Sequence, residues 1–167
     1  MVGQRPTAEE IEIRRLDPDE VEQHLDALAA VLEDVVAGGA SVGYMAPFAH
    51  EDARAAFEGF AAEVGSGRRL LFAALAEDAV VGTVQVILGT PPNQPHRGEI
   101  TKLLVHRSGR RRGVAQRLME RAETEALADK REALQAANVR IAALEAQRQA
   151  LEGEKKGLAA SDTFAAA

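Results

Sequence analysis

The chain is 167 residues long, 46% hydrophobic and 28% charged, with a net charge of −6. That balance excludes wholesale disorder and a general nucleic-acid binder. Cysteine is absent, which removes disulfides, thiolate nucleophiles and cysteine metal sites. No secretory segment or bilayer-spanning apolar run is read, so the expectation is a cytoplasmic chain with no membrane partner.

Residues 1–8 read as a flexible terminus. "EIEIRRL", Glu10 to Leu16, alternates apolar and polar residues and predicts a first strand. Asp17 supplies an N-cap and Pro18 a first helical residue, and the helix they open runs to Gly38-Gly39. Ala40 to Phe48 is a small-residue loop. His50 to Val64 sets Ala53, Phe57, Phe60 and Val64 at helical spacing and predicts one more helix. Arg69 to Ala76 and Val80 to Leu88 read as strands joined by a tight turn at Glu77-Asp78, hence an antiparallel hairpin. A proline-bearing loop leads to a fourth strand, Glu99 to His106.

From Gly113 onward the chain is rich in Ala, Glu, Gln, Leu and Arg. Leu127, Leu134 and Ile141 recur every seven residues, as do Ala137, Leu144, Leu151 and Leu158 on the companion position. Arg148 and Lys155 interrupt the first row, and Gly153 and Gly157 weaken its end. The pattern predicts a long helix able to form a coiled coil, which offers a homodimer contact. A long helix folded back on the sheet is the other reading. The element order β-α-α-β-β-β-α gives a mixed α/β (α+β) fold. Its expected layout is a terminus over 1–8, a core over 9–123, a heptad helix over 124–158 and a flexible tail over 159–167.

Between Arg97 and Arg117 lie six arginines and one lysine against a single acid, Glu99. A basic island on an acidic chain suggests an anionic ligand. Arg107, Arg110, Arg111 and Arg112 crowd the expected helix start, where the helix dipole already disfavours cations. A phosphate would resolve that conflict. The amides of Arg111 through Gln116 converge there, Gly113 permits a tight turn, and Ala115 leaves the backbone approachable. A solvated arginine run or a basic targeting patch fits "RRRGVA" as well.

The strand "EITKLLV", the turn "HRSGRR" and the helix start "RGVAQRLME" together resemble the cofactor signature of the GNAT superfamily of N-acetyltransferases. Arg110, Gly113 and Ala115 satisfy its pattern of Arg or Gln, two residues, Gly, one residue, then Gly or Ala. "GASVGYMAPF" and "PPNQPHRGEITKLLVHRSGRRRGVA" resemble the tabtoxin-resistance-like branch. The likeness covers roughly residues 11–123.

The resemblance implies acetyl transfer from acetyl-CoA to a small-molecule or peptide amine. Arg110, Arg111, Arg112, Gly113, Val114, Ala115 and Gln116 would hold the pyrophosphate, and Leu103, Leu104 and Val105 would pair with the pantetheine arm. Glu99 is the first candidate for the base that deprotonates the amine, and His96 the second. Ser41, Tyr44 and Met45 would line the acceptor side. Relatives continue past this helix with further strands that usually carry a thiolate-protonating tyrosine. Here no tyrosine follows Tyr44. The alternative is therefore a catalytically degenerate acetyl-CoA-binding or coiled-coil oligomerisation protein.

Overall fold

A computed structural model describes residues 10–40, 42–88 and 98–165. Asp17 starts the first helical region by a reciprocal capping box: Glu20 N donates to Asp17 Oδ1 at 2.8 Å, and Asp17 N donates to Glu20 Oε2 at 3.0 Å. The region is two helices rather than the one expected, α1 (Pro18–Gln23) and α2 (Leu25–Ala37). Backbone bonds His24 N to Glu20 O and Leu28 N to His24 O carry the ladder across the junction. The interruption is a bend and not a stop.

The second helical region is a larger departure. The single helix expected over His50 to Val64 is α3 (His50–Ala55) and α4 (Phe60–Gly65), separated at Gly59, whose φ is +84°. That left-handed backbone suits glycine and ends helical propagation. The break turns both Phe57 and Phe60 inward, with ring centroids 5.4 Å apart in an edge-on contact.

Four strands, β1 (Ile11–Arg15), β2 (Arg69–Ala76), β3 (Ala79–Ile87) and β4 (Glu99–Val105), pair in the order β1-β2-β3-β4, and every pairing is antiparallel. One face of the sheet, with Leu71, Ala73, Leu75 and Leu104, packs on α1 to α4. The other, with Leu70, Phe72, Val84 and Val86, receives α5 (Val114–Ala165) through Val114, Leu118 and Ala122. Those three recur every fourth residue, so they form one stripe on the helix. Burial on both faces explains why β2 reads as a continuous apolar run.

The chain divides into two units, Met1–Leu127 and Ala128–Ala167. The second is the remainder of α5, which passes through Gly153 and Gly157 and beyond the expected tail boundary to Ala165. Two glycines cost about 1 kcal/mol each against alanine, and the alanines that follow are the best helix formers. Leu134, Ile141, Leu144, Leu151 and Leu158 are 54–68% exposed. No described helix is long and apolar enough to cross a membrane.

The fit of α5 on the sheet depends on Gly82. A Cβ there would stand 3.0 Å from the Leu104 carbonyl, 3.0 Å from Val114 Cγ1 and 3.2 Å from Leu118 Cδ1. Gly82→Ala should therefore destabilise by about 1–3 kcal/mol through overpacking, although Gly→Ala in open space usually stabilises. Urea unfolding should show a lower midpoint at unchanged slope. A raised midpoint would refute this close approach.

Candidate functional site

The segment between β4 and α5 is built from two unusual backbone features. The first is a bulge. Thr83 pairs with Leu104 and Gln85 with Thr101, so Lys102 and Leu103 stand opposite the single residue Val84. Lys102 takes φ +48°, outside extended geometry. Such a bulge interrupts the ladder and bends its strand. Among the described residues β4 is also an edge, with no strand paired on its far side. Leu104 is buried, whereas Leu103 is 39% exposed.

The second feature is the turn itself. Arg110 has φ −66°, Arg111 φ +61° and Gly113 φ +71°. Arg110 is extended, with ψ 151°, and the left-handed Arg111 and Gly113 shape the turn into α5; turns of this kind can gather N–H groups into an anion-binding concavity. Val114, 2% exposed, pins the start of α5 into the core. Ala115 and Gln116 lie exposed beside it. A Cβ on Gly113 would meet none of the described residues within 4 Å. The first amides of a helix have no intrahelical acceptor; Arg117 N is bonded to Gly113 O at 3.1 Å. The donor set fits a phosphate or pyrophosphate.

The arginines divide between two helix poles. Arg107 N donates to Asp34 Oδ2 at 2.9 Å, and its guanidinium is ion-paired with the same carboxylate. His106 Nε2 lies 3.6 Å from Asp34 Oδ1. Arg110 Nε donates to Val105 O at 3.4 Å, and its Nη2 lies 3.4 Å from where a Gly38 Cβ would stand. Asp34 is in the last turn of α2 and Gly38 caps it. Two of the four cations thus sit at the negative end of α2, where the dipole favours them. Burial pushes the Asp34 carboxyl up, but the Arg107 backbone and guanidinium, with His106, outweigh it and hold the group below its usual value.

The remaining expected residues separate. Glu99 is exposed at the start of β4. Its register against Ile87, two residues from the Thr101–Gln85 pair, sets it on the α1–α4 face. Tyr44 packs at the margin of that same face, with Lys102 Nζ 3.4 Å from its hydroxyl and 4.6 Å from its ring centroid. Tyr44 and β4 are thereby brought together. Met45, 86% exposed, touches no core. Ser41 and His96 lie outside the described residues.

Sequence reasoning missed Asp34, the bulge and the Lys102–Tyr44 contact. An aspartate in a helix's last turn opposes the dipole, which was a readable hint of a cationic partner. A bulge of two ordinary residues leaves no such mark.

A model of the acetyltransferase (GNAT) family matches residues 40–148. Solved structures of similar fold include PaiA N-acetyltransferase from Thermoplasma acidophilum in complex with coenzyme A. It is 16% identical, with 72% of this chain and 74% of that chain covered and a TM-score of 0.54. A predicted acetyltransferase with acetyl-CoA from Clostridium acetobutylicum is 16% identical over 72% of this chain and 75% of that one, TM-score 0.51. A GCN5-related N-acetyltransferase from Ralstonia eutropha JMP134 is 22% identical over 72% and 78%, TM-score 0.50.

The lowered Asp34 value has a stability consequence. A depressed native pKa contributes stability that is complete above about pH 5 and lost as pH falls through 4 and the native value. Urea unfolding of wild type and Asp34→Asn should differ most near pH 7, and the gap should close toward pH 3. A gap that stays constant over that range rejects the assignment.

Proposed function

This chain belongs to the acetyltransferase (GNAT) family, and we propose that it transfers the acetyl group of acetyl-CoA to a primary amine of a small molecule or peptide by direct attack on the thioester. The observation that carries this reading is the turn at Arg111 to Gly113, left-handed at both of those residues, which leads from the bulged edge strand β4 into α5. The complexes of the Thermoplasma and Clostridium proteins with coenzyme A and acetyl-CoA support it.

In this reading the amides of residues 111–116 and the Arg111 and Arg112 side chains hold the pyrophosphate. Leu103 to Val105 offer an unpaired strand edge to the pantetheine arm, and an N–H there polarises the thioester carbonyl. Bound acetyl-CoA supplies the activated acetyl group. The amine approaches from the α1–α4 face, where Glu99 stands on the same side as Tyr44. Glu99 takes the proton that the amine must lose, directly or through one water. His96 is the second candidate for that role, and Ser41, Tyr44 and Met45 contribute to the acceptor side.

A second reading draws on two observations. The far edge of β4 carries no strand among the described residues, and the chain's single tyrosine precedes the sheet's hairpin. A protein that binds acetyl-CoA without turnover fits both. The exposed apolar stripe of α5 beyond Ala128 further reads as a self-association surface.

Acetyl-CoA should raise the thermal midpoint, by an amount equivalent to about 2.7 kcal/mol at a hundredfold excess over Kd. Ala115→Glu separates binding from folding. Its acid at a helix start should leave the unliganded midpoint at or above wild type, while repulsion of the pyrophosphate cancels the shift. An unmoved wild-type curve at millimolar acetyl-CoA sinks both readings. Turnover is decided by thiol release over an amine panel: Glu99→Gln should lower kcat by about 10²–10⁴-fold with KM for acetyl-CoA unchanged. A binding protein that releases no thiol with any amine leaves only the second reading.

A further inference from the structure

Helix α5 beyond Ala128 has a heptad stripe whose layers specify an orientation as well as association, and the pairing inferred from them rests on the self-association reading. Leu134 and Ile141 occupy one core row and Leu144 and Leu151 the companion row, each more than half exposed. Arg148 and Lys155 continue the first row; Lys130 and Ala137 begin the second. Every side chain from Arg131 to Ser161 is exposed. Among the described residues this stretch has none of the packing that stabilises most protein helices.

We infer that two copies pair through this stretch in antiparallel orientation, with Leu134 against the partner's Leu151 and Ile141 against the partner's Leu144. In antiparallel coiled coils residues of one core row face the companion row of the other helix. This register therefore gives four apolar layers, two of each kind, around a twofold axis near the middle of the segment. It also sets Arg148 over the partner's Ala137, where the small side chain leaves room for the arginine stem. The Arg148 head already lies 3.6 Å from Glu152 of its own chain, so it can stay at the surface. On the flank, Arg131 falls beside the partner's Glu152, an attractive pair that occurs twice by symmetry.

The parallel in-register alternative is poorer. It places Arg148 against the partner's Arg148, Lys155 against the partner's Lys155 and Lys130 against the partner's Lys130, and it faces alanine with alanine at 137. The antiparallel register retains one unfavourable layer type, Lys130 with the partner's Lys155, whose long stems can turn outward. Shifting the antiparallel register by one heptad replaces the Leu134–Leu151 and Ile141–Leu144 matches with Leu134–Leu158 and Ile141–Leu151, but it sets Arg148 against the partner's large Leu144 instead of the small Ala137.

The absence of cysteine makes the arrangement directly testable by crosslinking of the full chain. Sedimentation at about 100 µM should give a mass twice that of the 17.8 kDa chain. Ile141→Glu/Leu144→Glu should give a monomer and Val139→Glu, off the stripe, should not. Under mild oxidation an equimolar mix of Leu134→Cys and Leu151→Cys chains should yield a covalent dimer. Leu134→Cys alone should yield none, since its two sulfurs would lie on the order of 25 Å apart at 1.5 Å per residue. A wild-type monomer overturns self-association and the arrangement with it. A dimer in which Leu134→Cys crosslinks to itself overturns the antiparallel arrangement alone. Neither outcome touches the acetyl-CoA thermal shift, so the enzymatic reading is judged separately.

Discussion

The ion pair between Asp34 and Arg107 decides where the charge of the β4–α5 turn goes. Four arginines at a helix start look like an electrostatic error, because all would face the positive pole of α5. In the fold two helix poles meet at this turn. The C-terminal end of α2 takes Arg107 through Asp34 and draws Arg110 beside Gly38. What remains at the head of α5 is a set of backbone amides with Arg111 exposed next to them. The same contact fixes the chain leaving β4, since Arg107 donates its own N–H as well as its guanidinium. A carboxylate opposed by the α2 dipole thus becomes the anchor for the segment between β4 and α5.

Backbone geometry supplies the rest of the site. Gly82 lets Val114 and Leu118 approach β3, and Gly109 lets the turn pass against Val81, whose carbonyl would lie 3.0 Å from an added Cβ. Close seating of α5 therefore sets the height of its first turn relative to β4. The bulge at Lys102–Leu103 then bends the edge away from the ladder where an added extended segment would need to pair. The proposed donors are N–H groups rather than side chains. The position of the turn is accordingly set by glycines and core residues.

Elements with strong local signals were readable in the sequence. The Asp17–Pro18 start, the hairpin at Glu77-Asp78 and the strand–turn–helix at 99–123 each combine a period with punctuation, and the fold keeps all three. The helix over 50–64 was misread because Phe57 and Phe60 fit a helical period that Gly59, unremarkable in sequence, interrupts. Near the candidate site, the tight turn at Gly113 and the helix start after it were readable from local turn chemistry, as the left-handed glycine and the start of α5 at Val114 show. Asp34 with Arg107 spans 73 residues, and the bulge depends on how β3 meets β4. Both are products of tertiary pairing that no short window contains.

The two halves of α5 answer to different constraints. Its first three turns are held by packing: Val114, Leu118 and Ala122 are at most 2% exposed. There the helix could tolerate poor propensity, and it does tolerate a valine and an arginine at its head. Beyond Ala128 the sequence shifts to residues of high intrinsic propensity, with an i,i+4 pair at Arg148 and Glu152. Propensity of that kind is worth tenths of a kilocalorie per residue and leaves a long solvated helix only marginal in water. Yet the same stretch keeps large aliphatic residues in register at seven-residue spacing, which solubility alone disfavours. A helix optimised merely to be exposed would not retain Leu134, Ile141, Leu144 and Leu151. Their persistence on one stripe is the physical reason to expect that another surface covers them.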